Sequence, residues 1–246
     1  MSEKSLLVGP AALLVWGSVD KTQVAEAALN AWWTNEHLPE RLSIPGFQRA
    51  RRYICQNDPQ QSTKYLTFYE VSKLDVLTSE AYMDKLNNPT AGTKQHIPTL
   101  ATMQRAACRL VYSETRSELR SIRSGGGCAL AMSVVSLPPD DQAGNKLPAE
   151  LSPAFKEMES DRSVMALHLF REDVAATAPG SQSQSYIYGN LQQNQRVETV
   201  KWIVLVEFSQ PGGSQTALRP IIDILSRLTD ERVAAFDMYD FMCSAE

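Results

Sequence analysis

The stretch WWTNEHLPERLSIPGF, residues 32–47, joins the end of a predicted helix to the start of a predicted strand. The helix is predicted over residues 21–36, where apolar residues recur at helical spacing. Pro39, Pro45 and Gly46 follow and are expected to end it, because proline removes a backbone donor and glycine favours turns. The stretch therefore places a group of charged side chains at a helix end, just before a strand.

The first half of the chain alternates between strand and helix patterns in the order βαββαβ. Apolar and polar residues alternate along the strand segments, and the turn residues Asn57, Asp58 and Pro59 separate two of them. This order predicts one complete structural unit. Its predicted strands are residues 11–18, 47–56, 64–72 and 106–112, and its predicted helices are residues 21–36 and 78–86.

The second half of the chain repeats the same order of elements. This self-similarity predicts a tandem repeat, with a first repeat over residues 1–115, a linker over 116–127 and a second repeat over 128–246. The second repeat has predicted strands at residues 128–137, 164–171, 200–208 and 234–242, and predicted helices at residues 148–160 and 216–228.

Each predicted βαββαβ repeat indicates a ferredoxin-like unit of the α+β class. Such a unit has a four-stranded antiparallel sheet with both helices on one face. The uncovered sheet face must be buried, and two repeats in one chain can bury it by packing sheet to sheet. The sequence therefore predicts an intramolecular α+β barrel with a cavity between its two sheets. Because one chain carries both sheets, either a monomer or a homodimer satisfies this prediction.

One connection is longer than this compact plan requires. Residues 174–199 are rich in Ser, Gln and Asn and are predicted to form a polar loop. Such a loop is either disordered or a lid over the cavity. Tyr186, Ile187 and Tyr188 form an apolar island within it, which we expect to dock on the rest of the protein.

Composition excludes several classes of partner. The chain has 246 residues, 24 Lys and Arg, 28 Asp and Glu, and a net charge of −4. This mildly acidic balance argues against binding to nucleic acid or to an anionic membrane surface. No apolar run is long enough to span a bilayer, and no signal-peptide pattern is present, so a cytoplasmic protein is expected. Its four cysteines are far apart in sequence and are predicted to be buried, reduced thiols.

Several catalytic and cofactor motifs are absent from the sequence. There is no Gly-x-Ser-x-Gly nucleophile motif, no His-x-x-x-His and no Cys-x-x-Cys. With three scattered histidines, the sequence predicts neither a metal site nor a bound cofactor.

The segment around His37 resembles a known family. An aromatic residue, three residues, His37, one residue and Pro39, followed by Pro-Gly-Phe before a strand, is similar to the EthD-like branch of the dimeric α+β barrel superfamily. A second similarity lies in YMDKLNNPT, residues 82–90, with Arg105 downstream. The resemblance covers about residues 11–112. The second repeat has no His-x-Pro equivalent, so one functional pocket per chain is expected.

The resemblance implies a range of activities. Members of this superfamily include small cofactor-independent monooxygenases, isomerases, cyclases and decarboxylases, which often act on aromatic or polyketide substrates. The fold alone does not select one reaction among these.

His37 is the candidate catalytic residue. An imidazole with a pKa near 6.5 accepts and returns a proton at cellular pH, which suits enolisation chemistry. Glu40 or Asn35 is placed to orient its ring after the helix ends. The alternative is a histidine that caps carbonyl groups at the helix end and binds nothing.

Four strand residues are candidates for binding the substrate. A tyrosine hydroxyl and an arginine fork can hold a carboxylate or phenolate on a planar molecule. The alternative is that these side chains are hydrogen-bonded core residues. The four candidates are Arg51, Tyr53, Tyr65 and Tyr69.

Three further residues are placed near the predicted cavity. Trp16 would stack on aromatic rings as a wall of the cavity, or else belong to the core. His96 is predicted to lie in a loop at the cavity mouth. His168 interrupts an apolar strand and is expected either to point into the cavity or to be a hydrogen-bonded core residue.

These observations predict a cofactor-independent lyase, isomerase or cyclase, with decarboxylation included, that acts by acid/base catalysis through His37. Its expected substrate is a small hydrophobic molecule that is aromatic or polyketide-like. The alternative is a non-catalytic module of the same fold that binds a small molecule.

Overall fold

The structure is a computed structural model that describes residues 5–20, 25–55, 62–100, 102–121, 125–185, 199–229 and 235–246. Its strands are β1 (Ala11–Asp20), β2 (Phe47–Cys55), β3 (Ser62–Val71), β4 (Gln104–Thr115), β5 (Ala129–Leu137), β6 (Val164–Glu172), β7 (Val200–Phe208) and β8 (Asp237–Ala245). Its α-helices are α1 (Glu26–Trp32), α2 (Leu38–Leu42), α3 (Glu80–Asn87), α4 (Ala91–His96), α5 (Gln142–Met158), α6 (Val174–Ser181) and α7 (Arg219–Thr229). A π-helical turn, Trp33–His37, joins α1 to α2. Short 3₁₀ turns are Leu74–Thr78, Ile97–Thr99, Ser117–Leu119 and Thr216–Leu218. The chain is thus a mixed α+β protein.

The described residues form two compact units. We call first unit the described residues of 9–108, 173–196 and 242–246, and second unit those of 1–8, 109–172 and 197–241. The boundaries fall inside two strands, after Cys108 in β4 and after Phe241 in β8. The units are therefore interleaved in sequence, whereas the repeats were predicted as the contiguous segments 1–115 and 128–246.

In the first unit, antiparallel pairing sets which side chains share a face of the sheet. β3 lies between β1 and β2. Tyr69 of β3 pairs with Leu13 of β1 and with Ala50 of β2. These three residues point to the same face, because side chains directly opposite each other in a ladder lie on one side of the sheet. All three belong to one apolar core with residues of the helices, so this is the face that the helices cover.

The second unit contains three strands that are paired in the same way. β7 lies between β5 and β6. The pairing of β6 with β7 has a bulge between Val164 and Ala166, and the pairing of β2 with β3 has one between Phe47 and Arg49. The core between this sheet and the helices of the second unit is apolar and combines residues of α5, α7, β5, β6 and β7.

The first helical segment does not end before Pro39, as its sequence predicted. The helix continues through the π-helical turn and α2 to Leu42. The backbone N–H of Leu38 donates to the carbonyl of Trp33, so the hydrogen bond spans five residues instead of four. Pro39 follows directly after this wider turn, which accommodates it within the continuing helix. The expectation that Pro39 ends the helix is wrong for this reason.

Side-chain caps also extend the helices beyond the prediction. α5 was predicted from residue 148 but begins at Gln142, because Asp141 accepts a hydrogen bond from the N–H of Ala143 at 2.6 Å. α4 was not predicted, and it begins after Thr90, whose hydroxyl accepts from the N–H of Thr93 at 3.1 Å. His96 therefore ends a helix and does not lie in a loop.

The predicted polar loop at 174–199 is in part helical. α6 occupies Val174–Ser181, and Asp173 caps it by accepting from the N–H of Ala176 at 2.9 Å. The prediction of a loop is wrong for this stretch, since polar composition did not reveal the cap. The apolar island at 186–188 lies outside the described residues.

Two sequence expectations concern the surface of the protein. Among the described residues, no helix is both long and apolar enough to cross a membrane. All four cysteines are free thiols. Cys55 and Cys108 are buried as predicted, Cys243 is half-buried, and Cys128 is exposed, which corrects the expectation that all four are buried.

Candidate functional site

A cavity lies within the first unit, between the helix-covered face of its sheet and the helices themselves. It has about 70 Å³ of space open to water, enough for several water molecules. Residues from β1, β3, β4, α3 and the helical segment from α1 to α2 line it. The prediction placed a cavity between two sheets, whereas this cavity lies between a sheet and its own helices.

Helical spacing brings three cavity residues together. Trp33, His37 and Arg41 are each four residues apart, and the segment is helical throughout. Side chains at this spacing lie on nearly the same face of a helix, and all three line the cavity. The π-helical turn and the continued helix therefore place His37 and Arg41 side by side above the sheet.

His37 is nearly buried and is neutral at pH 7. Its side chain is 13% exposed, and burial holds its pKa well below the usual 6.5 because a charged imidazole loses solvation there. The positive charges of Arg41 and Arg52 lower this pKa further. A neutral imidazole has one nitrogen free to accept a proton, which makes His37 competent as a base.

Trp32 connects His37 to a second histidine. The ring centroid of Trp32 lies 4.9 Å from that of His37 and 5.1 Å from that of His96. The rings of Trp32 and His96 are stacked, with 25° between their planes. α4 packs closely here, since a Cβ added to Gly92 would lie 2.6 Å from Cδ1 of Trp32. His96 thus contacts a cavity wall from behind and is not itself among the lining residues.

Two tyrosines and an arginine complete the polar part of the cavity. Tyr69 is buried, and burial raises the pKa of its phenol above the ordinary value, so it stays neutral. The hydroxyl of Tyr82 accepts a hydrogen bond from Nη2 of Arg105 at 3.1 Å. All three side chains line the cavity, so both a phenol and a guanidinium face it in addition to His37.

The segment after β6 contributes to the cavity of the first unit. The N–H of Asp173 donates to the carbonyl of Ala107 at 2.8 Å, which starts this segment beside β4. Ser185 is buried, lines the cavity, and donates from its hydroxyl to the carbonyl of Leu86 at 2.8 Å. Residues 173–185 are therefore part of the site even though they are remote from His37 in sequence.

Several lining residues have a buried polar atom without a hydrogen-bond partner in the described part of the chain. An unpartnered buried donor or acceptor costs about 1–3 kcal/mol unless water or a ligand satisfies it. Their concentration in one cavity indicates a place that is completed by something else. These atoms include Nε1 of Trp32, Nδ1 of His37, Nη1 of Arg41 and Oγ1 of Thr67.

Of the residues singled out from sequence, the structure places His37 and Tyr69 in the cavity and His96 behind Trp32. Tyr65 shares the face of Tyr69 but is not a lining residue. Its hydroxyl donates to Oε1 of Glu26 at 2.5 Å and accepts from Nδ2 of Asn30 at 3.2 Å. Burial and the contact with Glu26 raise its pKa to about 12, so Tyr65 is a neutral anchor between α1 and the sheet.

Trp16, Arg51 and Tyr53 lie on the opposite face of the sheet from Tyr69. Trp16 and Tyr53 both pair with Leu66, one residue out of phase with the tyrosines of β3. Arg51 lies 3.2 Å from Glu70 and donates to the hydroxyl of Tyr53 at 3.0 Å. The expectation that all these side chains surround one substrate is wrong, because strand pairing separates them onto two faces.

His168 belongs to the second unit and is fully buried. Its Nε2 lies 3.2 Å from Oε1 of Glu207, and its Nδ1 lies 2.8 Å from the hydroxyl of Ser113. The other oxygen of Glu207 accepts from the N–H of Gly127 at 2.7 Å. These contacts agree with the alternative interpretation of His168 as a hydrogen-bonded core residue.

Sequence reasoning missed Trp32, Trp33, Arg41, Tyr82 and Arg105 as cavity residues. Spacing by four residues from His37 was the available signal for Trp33 and Arg41, but the helix was expected to end before it reached Arg41. Tyr82 and Arg105 lie in the segments that carry the second family similarity. Their convergence depends on tertiary packing that spacing does not show.

The corresponding sheet face of the second unit is apolar in the residues that the structure describes. Counting from the bulge, Trp202, Val204 and Val206 of β7 correspond to Tyr65, Thr67 and Tyr69 of β3. A Cβ added to Gly144 of α5 would lie 2.6 Å from the indole of Trp202, so this face is tightly filled. Apolar side chains thus occupy the place that carries the candidate site in the first unit. Nor does any group of three or more His, Cys, Asp or Glu in the described ranges form a possible metal site.

No family model matches the sequence, and no curated protein is detectably similar to it. Solved structures are similar in fold. One is an anthrone oxidase-like protein, with 11% sequence identity and a TM-score of 0.60 over 98% of this chain and 94% of the other. Another is a protein from Fusobacterium nucleatum named provisionally as a monooxygenase, with 10% identity and a TM-score of 0.51 over 96% and 93%. At these identities the likeness shows that the chain shares their fold, and it shows nothing about the reaction.

Proposed function

We propose that this protein is an enzyme that removes an acidic proton from a planar, aromatic or polyketide-like molecule, with His37 as the general base. The observation that carries the proposal is a neutral imidazole that lines a mostly apolar cavity, with its buried Nδ1 turned to Glu40 at 3.8 Å. A base in such a place is protected from water and is ready to accept a proton at pH 7.

The residues around His37 support this role. The walls that surround it include Trp32, Trp33 and Leu13, which suit a flat ring system. Unpartnered donors such as Nε1 of Trp32 are available to the oxygen on which negative charge develops when an enol or phenol loses its proton. Glu40 lies close enough to His37 to stabilise the imidazolium that forms.

Proton abstraction is the step that lyases, isomerases and cyclases of this kind have in common. Return of the proton to another carbon gives isomerisation, whereas attack of the enolate on a carbonyl or loss of a leaving group gives cyclisation or cleavage. In a decarboxylation His37 would instead take the proton of the carboxylic acid, carbon dioxide would leave its electron pair on the carbon, and the imidazolium would return the proton to that carbon.

A second candidate is oxygenation, the chemistry named for the anthrone oxidase-like protein that has a similar fold. The same carbanion would then react with molecular oxygen. A CH₂ group would become a carbonyl, one oxygen atom would enter the product and the other would leave as water. The test is to measure oxygen uptake in the presence of anthrone by the unaltered protein and by His37→Gln.

The alternative from sequence, a non-catalytic binding module, makes the opposite prediction for the same cavity. It requires ligand binding without proton transfer. We also propose that the chain is a tandem repeat of the EthD-like type. The matching bulges of β2 and β6 support this proposal, as does the similarity around His37.

The central test is hydrogen–deuterium exchange at the acidic carbon of 2-tetralone in D₂O, followed by NMR. The protein should accelerate exchange, and His37→Gln should lower the acceleration by about a hundredfold or more. Arg227→Gln, which alters an exposed ion pair with Glu150, is the matched control and should keep the full rate. Full exchange by the His37 variant would remove this residue from the mechanism. Binding of 2-tetralone without any exchange would favour the non-catalytic module.

A further inference from the structure

The charge of the cavity lining is one-sided. Arg41 and Arg105 are both lining residues, and no Asp or Glu of the described chain lines the cavity. His37 is neutral, as is the phenol of Tyr69 at ordinary pH. The lining therefore carries two guanidinium groups, and an anion is the kind of ligand that complements them.

Arg41 is the lining residue that an anion would stabilise most directly. It is 3% exposed, and its Nη1 has no hydrogen-bond partner among the described residues. The carboxylate of Glu40 forms an ion pair with it, with Oε2 3.6 Å from Nη2, but at this distance makes no hydrogen bond, and Nη1 stays unsatisfied. A guanidinium cannot release its charge by deprotonation, so a buried one gains from an anion that satisfies its remaining N–H groups.

A second unsatisfied donor in the lining points to the same ligand chemistry. The indole Nε1 of Trp32 can only donate, as can the guanidinium of Arg41. A ligand with oxygen atoms would accept hydrogen bonds from both of these donors. Apolar side chains such as Leu13 and Val15 form the rest of the wall, which favours a ring system joined to those oxygens.

We infer that the substrate is a planar aromatic molecule that already carries an oxyanion, either a carboxylate or an ionised phenol, and that Arg41 determines this specificity. The inference rests on the proposed function, because it names the substrate class of the same cavity. A guanidinium fork matches two oxygens of one anionic group and so distinguishes an acid from its neutral analogue.

Binding to matched pairs of ligands tests this inference and separates the two sources of the anion. The carboxylate pair is 2-naphthoate and 2-naphthamide, and the phenolate pair is 2,4-dinitrophenolate and 2,4-dinitroanisole. Calorimetry should show about tenfold or tighter binding of at least one anion than of its neutral partner. The pair that shows the preference identifies the anionic group. Equal binding within both pairs, or failure of both anions to bind at millimolar concentration, would overturn the inference.

Variants assign the preference to Arg41. Arg41→Gln should lose about tenfold in affinity for the anion and keep its affinity for the neutral partner. Arg41→Lys, which keeps the charge, should retain part of the preference, and Arg227→Gln should retain all of it. Equal weakening of both ligands by Arg41→Gln would contradict the assignment. The comparison of ligands on the unaltered protein remains decisive if Arg41→Gln does not fold.

The proposed function and this inference can fail separately. His37→Gln should lose proton exchange and keep the preference for the anion. Preserved exchange in that variant, together with an intact preference, would refute the base and leave the substrate class standing. Normal dependence of exchange on His37 without any anion preference would refute only the inference.

Discussion

Nδ1 of His37 lies 3.8 Å from Oε2 of Glu40, and neither atom has a hydrogen-bond partner among the described residues. The two atoms are complementary, since a neutral imidazole can donate from Nδ1 and a carboxylate accepts. An approach of less than 1 Å would form the hydrogen bond, and catalytic contacts often tighten in this way when a ligand binds. That bond would leave Nε2 of His37 as the acceptor of the substrate proton.

Glu40→Gln tests this pairing. The variant removes the charge that stabilises the imidazolium, so exchange of 2-tetralone protons should slow by about tenfold or more while ligand affinity changes little. Glu36→Gln is the control, because Glu36 accepts from the hydroxyl of Thr90 at 2.6 Å and is directed elsewhere. An unchanged rate in the Glu40 variant would show that the two residues do not act together.

The lowered pKa of His37 gives the stability of the protein a defined pH dependence. In the unfolded chain His37 titrates near 6.5, whereas in the folded protein its pKa is well below that value. Between these two values the unfolded state binds a proton that the folded state does not. The free energy of unfolding should therefore be unaffected by His37 above about pH 6.5 and should fall as the pH decreases below it.

Urea unfolding at about pH 7, 6 and 5 measures this effect. His37→Gln should show a smaller loss of stability on acidification than the unaltered protein, and the difference between the two isolates His37 from the carboxylates. Parallel curves would contradict the direction of the shift. The rate of proton exchange should likewise stay constant from about pH 6.5 upward, because the base is already neutral there.

The fold was predictable from sequence where local patterns are sufficient. β7 occupies the predicted residues 200–208, since alternation and apolar composition agree there. Helix ends were less predictable. A π-helical turn accommodated Pro39, and the Asp141 cap extended α5 toward its N-terminus, and both depend on hydrogen bonds that spacing does not reveal.

The candidate site was predictable only around His37. Alternation identified Tyr65 and Tyr69 on one strand and Arg51 and Tyr53 on another, but it could not show which faces of the two strands coincide. That relation depends on the pairing register and on the bulge after Phe47. Residues that converge through tertiary packing, Ser185 among them, carried no local signal at all.

Gly180→Ala tests the contribution of residues 173–185 to the cavity. A Cβ at this position would lie 1.3 Å from Nη1 of Arg105, so the guanidinium must move. The displaced atoms are the far end of a flexible side chain. The free energy of unfolding should therefore fall by about 1 kcal/mol, at the low end for an overpacked site. The affinity for the preferred anion should fall by about tenfold.

Ser181→Ala is the control for that experiment, since its hydroxyl donates to the carbonyl of Thr177 within α6 at 3.3 Å. It should leave both stability and affinity nearly unchanged. Retention of full anion affinity by Gly180→Ala would show that the position of Arg105 is not important for binding.

The last prediction separates the two tyrosines of β3 that were grouped together from sequence. Tyr65→Phe removes a hydroxyl that donates to Glu26 and lies outside the cavity lining, so it should cost about 1–3 kcal/mol of stability and leave exchange of 2-tetralone nearly unchanged. Tyr69→Phe makes the same change four residues along the strand, inside the cavity. It should lower the exchange rate or the ligand affinity more than Tyr65→Phe does. If Tyr65→Phe instead slows exchange by more than about tenfold at unchanged stability, Tyr65 contacts the substrate, and the cavity extends further along β3 than its lining indicates.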